Sequence, residues 1–300
     1  MDLDVRKRLD RLGERRRWLG FLLALQARFG ELHGSQMASA ITLTAFVTLF
    51  PLVLVAIAVV GWVSVGSDDV PQRVVENLGL TGRAADTMTD AIGTAEKSRQ
   101  AASVIGVAGL LWTGLGLAGA VAYAYDTAWQ VKARGIKDRL VGLGWLAGLG
   151  GLVAASFAAT AAIEWVGAAV APLALVVGLT LNTGIFVWTS WMLPNRRVGV
   201  RPLLLPALAG GVALEVLKVV GTLLVPRLVA NSSSLYGTIG VVFAVVAWLL
   251  FLGRLVVYVA VAEVVAWERG HGTQRTVIEL PALPGSEPVA STRAGDREEA

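Results

Sequence analysis

The chain lacks cysteine, has only two histidines, and has few charged residues, which make up 16% of its 300 positions. The absence of cysteine excludes disulfides, thiolate metal ligands and thiol nucleophiles. His33 and His271 belong to no HExxH-like pattern, and neither a phosphate-binding GxxxxGK loop nor a GxSxG element occurs. We therefore expect no catalytic residues, no metal site and no cofactor, and we predict that the protein is not an enzyme.

Hydrophobic residues, in contrast, make up 55% of the chain and gather in six long stretches between Met37 and Ala262. The hydrocarbon core of a bilayer is about 30 Å thick, and crossing it takes roughly 20 helical residues. The stretches therefore predict six transmembrane helices in an all-α integral membrane protein. Their expected limits are 37–66, 103–125, 140–163, 172–193, 203–225 and 237–262.

The flanking segments predict three parts of the chain. Residues 1–36 form a basic cytoplasmic segment, 37–266 a six-helix transmembrane domain, and 267–300 a tail whose proline-rich, polar composition is typical of disorder. In the first part, apolar residues at helical spacing predict an interfacial amphipathic helix. Those residues are Trp18, Leu22, Leu25 and Phe29.

Two smaller patterns concern helix packing and the longest connection. The connection 67–102 predicts two short amphipathic helices that lie on the membrane surface or cap the bundle. The first, at 69–78, has a helix start at 69–71 and apolar residues at 74, 75 and 78, and the second has apolar residues at 85, 88, 92 and 95. The spacings Gly144-x-x-x-Gly148 and Gly116-x-x-Gly119 predict seams where neighbouring helices approach closely.

The distribution of basic residues predicts the orientation. Lysine and arginine number 19 on the side that holds both termini and five on the other, so both termini are expected in the cytoplasm. Arginine outnumbers lysine 21 to 5, which favours a bacterial origin and hence the plasma membrane. Since the basic residues lie at membrane edges, the expected partners are membrane lipids and their anionic head groups, and nucleic acid is not expected.

Three charged residues lie inside predicted spans, namely Glu215 and Lys218 in the fifth and Arg254 in the sixth. A charge at the centre of a span costs about 2.5 to 3.5 kcal/mol, so each needs a partner. The opposite tilt of side chains on antiparallel helices predicts an ion pair between Glu215 and Arg254, with Lys218 competing for the carboxylate. The alternative is a cluster that fixes helix register and handles no solute.

Four further residues are candidates for a substrate pathway. Thr44, Thr48 and Pro51 share one face of the first span, and Pro51 should kink that helix. The threonine hydroxyls can either repair the kink or line a solute path. Tyr258 continues the stripe of Arg254 on the sixth span. Together with Lys218 and Arg254, these positions predict a cavity between the first, fifth and sixth helices. Glu164 and Glu263 lie near span ends, where they can reach the head groups, and are weaker candidates.

Several motifs occur in a consistent order. Residues 193–198 read Leu-Pro-Asn-Arg-Arg-Val, 215–218 Glu-Val-Leu-Lys, 48–51 Thr-Leu-Phe-Pro and 125–129 Tyr-Asp-Thr-Ala-Trp, with Ala-Glu at 262–263. This set resembles the YihY/BrkB family of bacterial membrane proteins, formerly labelled ribonuclease BN-like. The resemblance implies a six-helix inner-membrane protein without a defined activity, and no residue pattern here supports a ribonuclease.

Two functional hypotheses follow. The favoured one is translocation of an amphipathic anion or lipid, because charges at membrane depth accompany a basic cytoplasmic face. The other is a non-transporting membrane scaffold or envelope-assembly factor, in which the charges only lock the bundle.

Overall fold

The computed structural model describes residues 17–63, 83–166, 171–196, 199–236 and 238–271. These ranges hold seven helices and no strand. The helices are α1 (Arg17–Glu31), α2 (Gly34–Val63), α3 (Arg83–Trp129), α4 (Lys137–Val166), α5 (Ala171–Met192), α6 (Val200–Tyr236) and α7 (Thr238–His271).

The helices α2 to α7 each contain a stretch long and apolar enough to cross a membrane. Large apolar side chains cover their outer surface: Trp112 on α3 is 84% exposed and Phe50 on α2 is 64% exposed. Such exposure suits contact with lipid rather than with water. The prediction of an all-α integral membrane protein with six spans is therefore confirmed.

Two helices are longer than their predicted spans. The helix α3 begins at Arg83 and continues without a break into the second span, so the separate helix predicted around residues 85–95 is wrong. Residues 83–103 contain one glycine and no proline, so nothing in them ends a helix. The helix α6 likewise continues to Tyr236, beyond the expected limit of 225. The other predicted short helix, at 69–78, lies outside the described residues.

The buried core lies at one end of the bundle, where α2, α4 and α6 begin and α3, α5 and α7 end. We call this the basic end, since most of the lysine and arginine residues flank it. Its main cluster joins side chains from α1, α2, α3, α4, α6 and α7. Tyr125, Val257 and Val261 are fully buried there, and Leu203 and Trp129 are nearly so.

The helix α1 belongs to this core and packs on α7. The Phe29 ring stacks on the Tyr258 ring at 4.1 Å, and the Tyr258 hydroxyl donates a hydrogen bond to Gln26 Oε1 at 2.8 Å. Of the four residues predicted for its apolar face, Phe29 is buried and Leu25 is partly buried against the core. Trp18 and Leu22 are exposed. Two of the predicted apolar residues of α1 thus pack on the helix bundle, and the other two lie on the protein surface.

One of the two predicted glycine seams is confirmed. A Cβ atom added to Gly148 would collide with the indole ring of Trp188, and one on Gly144 would collide with Cε of Met192, so α4 and α5 approach closely there. The other seam is wrong, because a Cβ atom on Gly116 or Gly119 would meet nothing within 4 Å.

Candidate functional site

The carboxylate of Glu215 lies between α6 and α5. Its Oε1 atom accepts hydrogen bonds from Lys218 Nζ at 3.1 Å and from Asn182 Nδ2 at 2.5 Å. The absence of a side chain at Gly178 makes room for it, because a Cβ atom there would lie 2.8 Å from Oε1. Lys218, predicted as a competitor for this carboxylate, is thus its cationic partner.

The predicted ion pair between Glu215 and Arg254 is wrong. Arg254 is exposed, and no ion pair joins it to another residue in the part of the chain that the structure describes. The reason is the rotation of α6 about its axis. Gly210 packs against Val259 of α7, whereas Gly211 packs against Thr183 of α5, one residue and about 100° further round.

The remaining predicted pathway residues have local partners. The Thr44 hydroxyl donates to Ala40 O at 3.0 Å, and the Thr48 hydroxyl donates to Thr44 O at 2.7 Å. These bonds lie within α2, and neither reaches the carbonyl that Pro51 deprives of its donor. Pro51 itself is buried beside Gly109 of α3, whose added Cβ would lie 3.1 Å from the proline Cβ.

A cavity of about 280 Å³ lies inside the bundle. It draws on all six spans rather than on the first, fifth and sixth alone, and none of the predicted pathway residues line it. Its one polar side chain is Thr189, which accepts from Trp145 Nε1 at 3.0 Å and donates to Ile185 O at 2.8 Å. The cavity therefore suits hydrocarbon better than an ion.

At the basic end, residues 125–134, which begin with the 125–129 motif, are bonded to residues 193–196 of the 193–198 motif. Asp126 Oδ1 accepts from the Asn195 backbone N–H at 2.8 Å, and Asn195 Nδ2 donates to Lys132 O at 2.7 Å. Arg134 donates from Nε to Asn195 Oδ1 at 2.9 Å and from Nη2 to Pro194 O at 2.6 Å. These bonds fix the α3–α4 connection to the α5–α6 connection.

Glu263 is fully buried, so it does not reach the head groups as its place near a span end would allow. A hydrogen bond joins its Oε1 atom to the Ser190 hydroxyl, which also bonds to Phe186 O at 2.7 Å. The other Glu263 oxygen is buried without a hydrogen-bond partner among the described residues, and the fully buried Tyr125 side chain lies beside Glu263 and Ser190. The family-like motifs at 125–129 and 262–263 were the signal that could have brought these residues together.

No group of three or more histidine, cysteine, aspartate or glutamate side chains could hold a metal ion in the described ranges. The polar groups described above lie instead at the interlocked basic end, in the contact of Glu215 with Asn182 and Lys218, and at Arg254.

Comparison with known proteins gives one family and two relatives. The family model described as "Virulence factor BrkB" matches residues 25–279. "Inner membrane protein YhjD" of Escherichia coli (strain K12) is 24% identical over 272 residues, which cover 81% of this chain and 79% of that protein. An uncharacterized protein of Dickeya dadantii (strain 3937) is 25% identical over 287 residues, covering 86% and 85%. No solved structure matches the chain significantly.

Proposed function

The chain belongs to the BrkB family of membrane proteins, and we propose that it moves an amphipathic anion, a lipid with its head group, across the bilayer. The proposal depends mainly on the surroundings of Arg254. This residue lies near the middle of the candidate span Val242–Gly270, its side chain is exposed, and no carboxylate among the described residues pairs with it.

An unpaired arginine at membrane depth needs an anion from outside the chain. Leaving it without one costs about 2.5 to 3.5 kcal/mol, and lipid phosphates are the anions that a bilayer supplies. Its helical neighbours on the same stripe are Phe251, which is 52% exposed, and the exposed Ala247, so hydrocarbon can contact the helix beside it. This face therefore suits a ligand with both an anionic and an apolar part.

Two further observations favour a lipid over an inorganic ion. Lys218, whose side chain is 46% exposed, places a second cation at the surface of α6. The internal cavity has a single polar side chain and gives an ion no set of ligands. We therefore propose movement along the lipid-facing surface of the bundle, without enzymatic chemistry.

The proposed location is the inner membrane of a bacterium, with both termini in the cytoplasm. The proposal is supported by the 19 to 5 asymmetry of basic residues and by the name of the Escherichia coli relative. In this orientation the basic end faces the cytoplasm, where anionic lipids attract basic residues.

The test is lipid movement in liposomes that contain the purified protein and a trace of fluorescent phosphatidylglycerol, with dithionite to bleach the outer leaflet. Losing about 1.4 kcal/mol of stabilisation slows a step about tenfold, and we expect Arg254→Gln to slow movement by about this factor. The matched control is Arg201→Gln, an exposed arginine at the start of α6, which should leave the rate unchanged.

A wild-type protein that moves no lipid, or an Arg254→Gln variant as fast as wild type, would refute the proposal. The alternative, a non-transporting scaffold, draws support from the bonded connections of the basic end and from the local partners of Glu215, Thr44 and Thr48. Absence of lipid movement would favour it.

A further inference from the structure

The geometry points to Arg196 as a binding site for a phosphate group at the basic end of the bundle. Arg196 follows α5 in the short connection to α6, and two tryptophan rings hold its guanidinium. The guanidinium carbon is 4.8 Å from the ring centroid of Trp129, at the end of α3, and 4.3 Å from that of Trp267 on α7. The centroids of those rings are 6.0 Å apart, with an interplanar angle of 70°, so the cation lies in the corner between them.

The N–H groups of this guanidinium have no acceptor among the described residues. A guanidinium carries five N–H donors in one plane. The aromatic rings attract its positive charge, but they do not accept hydrogen bonds from those N–H groups as an oxygen would. The acidic residues closest in sequence to the two tryptophans are already bonded elsewhere. Asp126 accepts from the Asn195 backbone N–H at 2.8 Å, and Glu268 accepts from Arg28 at 3.1 Å.

A second group beside Arg196 also lacks an acceptor. The indole Nε1 of Trp129 is buried and has no hydrogen-bond partner in the described part of the chain, and the residue is 5% exposed. The ring that carries this N–H lies 4.8 Å from the guanidinium carbon of Arg196, so two neighbouring side chains have N–H donors without an acceptor among the described residues. An anion with several oxygen atoms would satisfy them.

The chemistry of the site favours phosphate. The planar fork of arginine matches the spacing of phosphate oxygens, and ring contacts fix its orientation before the anion arrives. Tryptophan is enriched at the interface between membrane and water, where lipid phosphates lie. The ligand is therefore a phosphate monoester or diester, carried by a lipid head group or free in solution. The inference rests on the proposed function for the lipid origin of the phosphate, but binding is measured without transport.

The test measures binding by purified protein in a neutral detergent, by isothermal titration with dioctanoyl phosphatidylglycerol, inorganic phosphate or dioctanoylglycerol. We expect Arg196→Gln to weaken phosphatidylglycerol binding at least about tenfold, a typical loss for one charge-assisted contact. Arg201→Gln, at an exposed position of the same end, should bind as wild type does. If phosphatidylglycerol binds and inorganic phosphate does not, the ligand is a lipid head group. If inorganic phosphate binds equally well, the ligand is a free phosphate.

The assignment would be overturned if Arg196→Gln bound phosphatidylglycerol as tightly as wild type does, or if wild type bound neither phosphate probe. It would also be overturned if dioctanoylglycerol bound as tightly as phosphatidylglycerol. Since Arg196→Gln also removes ring contacts, a second measurement uses the wild-type protein. Phenylglyoxal modifies accessible arginines, and phosphatidylglycerol should protect Arg196 but not Arg201, as read by mass spectrometry. Unprotected Arg196 would also refute the site. Neither measurement involves lipid movement, so the failure of this inference is distinguishable from the failure of the proposed function.

Discussion

The contact between Glu215 and Lys218 gives the most direct test of the charges at membrane depth. Lys218→Met removes the cation that lies 3.1 Å from Glu215 Oε1 and leaves that oxygen with Asn182 as its partner. The carboxylate is then unpaired in the middle of an apolar helix. Glu215 is too short to move its charge to the head groups, so we expect a clear loss of stability.

The size of the loss follows from the environment of the pair. Leaving one member of a fully buried pair unpaired costs about 3 to 5 kcal/mol, while single hydrogen bonds between membrane helices are worth about 0.6 kcal/mol on average. The side chains here are 46% and 20% exposed, so we place the cost of Lys218→Met between these limits, at about 2 kcal/mol. Glu215→Gln should cost less, about 1 kcal/mol, because the long stem of lysine can carry its ammonium toward the interface.

The assay is unfolding in mixed detergent micelles, followed by the fluorescence of the chain's 10 tryptophans. The double mutant Glu215→Gln/Lys218→Met should lose clearly less than the sum of the single losses, because the second change removes the unpaired charge. The matched cycle with Glu215→Gln and Arg254→Gln should be additive within about 0.5 kcal/mol. Additivity in the first cycle, or coupling in the second, would refute the pairing described above.

Three further predictions concern packing, the buried carboxyl and topology. Gly148→Ala should lower the free energy of unfolding by about 1 to 3 kcal/mol, because its methyl group meets an indole ring, whereas Gly116→Ala should be neutral or slightly stabilising; equal effects would contradict the packing. Glu263→Gln keeps an oxygen that can bond to Ser190, whereas Glu263→Leu removes it. In the same unfolding assay, Glu263→Leu should lower the free energy of unfolding by about 1 to 3 kcal/mol and Glu263→Gln by less; the reverse order would contradict the bond. Because the chain has no cysteine, an impermeant maleimide should label Ser98→Cys but not Ala133→Cys in intact cells, and the reverse would overturn the orientation.

The number and kind of helices could be predicted because span length and hydropathy are properties of neighbouring residues. All six predicted spans lie largely within α2 to α7. The length of α3 was harder to predict, because the polarity of residues 83–102 favoured a separate segment at the membrane surface. The polarity of a segment, however, indicates only whether it contacts water or lipid. The end of a helix depends on helix-breaking residues such as proline, which residues 83–103 lack.

The contacts of the site could be predicted only in part. The depth of Glu215 and Arg254 along their helices follows from the rise per residue, but the partner of Glu215 depends on the rotation of α6. Packing of Gly211 on Thr183 sets that rotation and turns the carboxylate toward α5. Similarly, Ser190 and Glu263 are 73 positions apart, and only the assembled helices show that their side chains bond.

Arg196 and Arg254 both lack a carboxylate partner among the described residues, and their surroundings differ. Arg196 is held by two indole rings, so its donors have a fixed orientation and suit a binding step. Arg254 is exposed and has no such ring contact in the ranges that the structure describes, so its side chain keeps the freedom to follow a group that moves along the membrane face. In the lipid movement that we propose, a fixed site would select the head group and a mobile cation would lower the barrier to its movement. The binding assay on Arg196 and the rate assay on Arg254 therefore report on separate steps, and a change confined to one of them is the expected result for each variant.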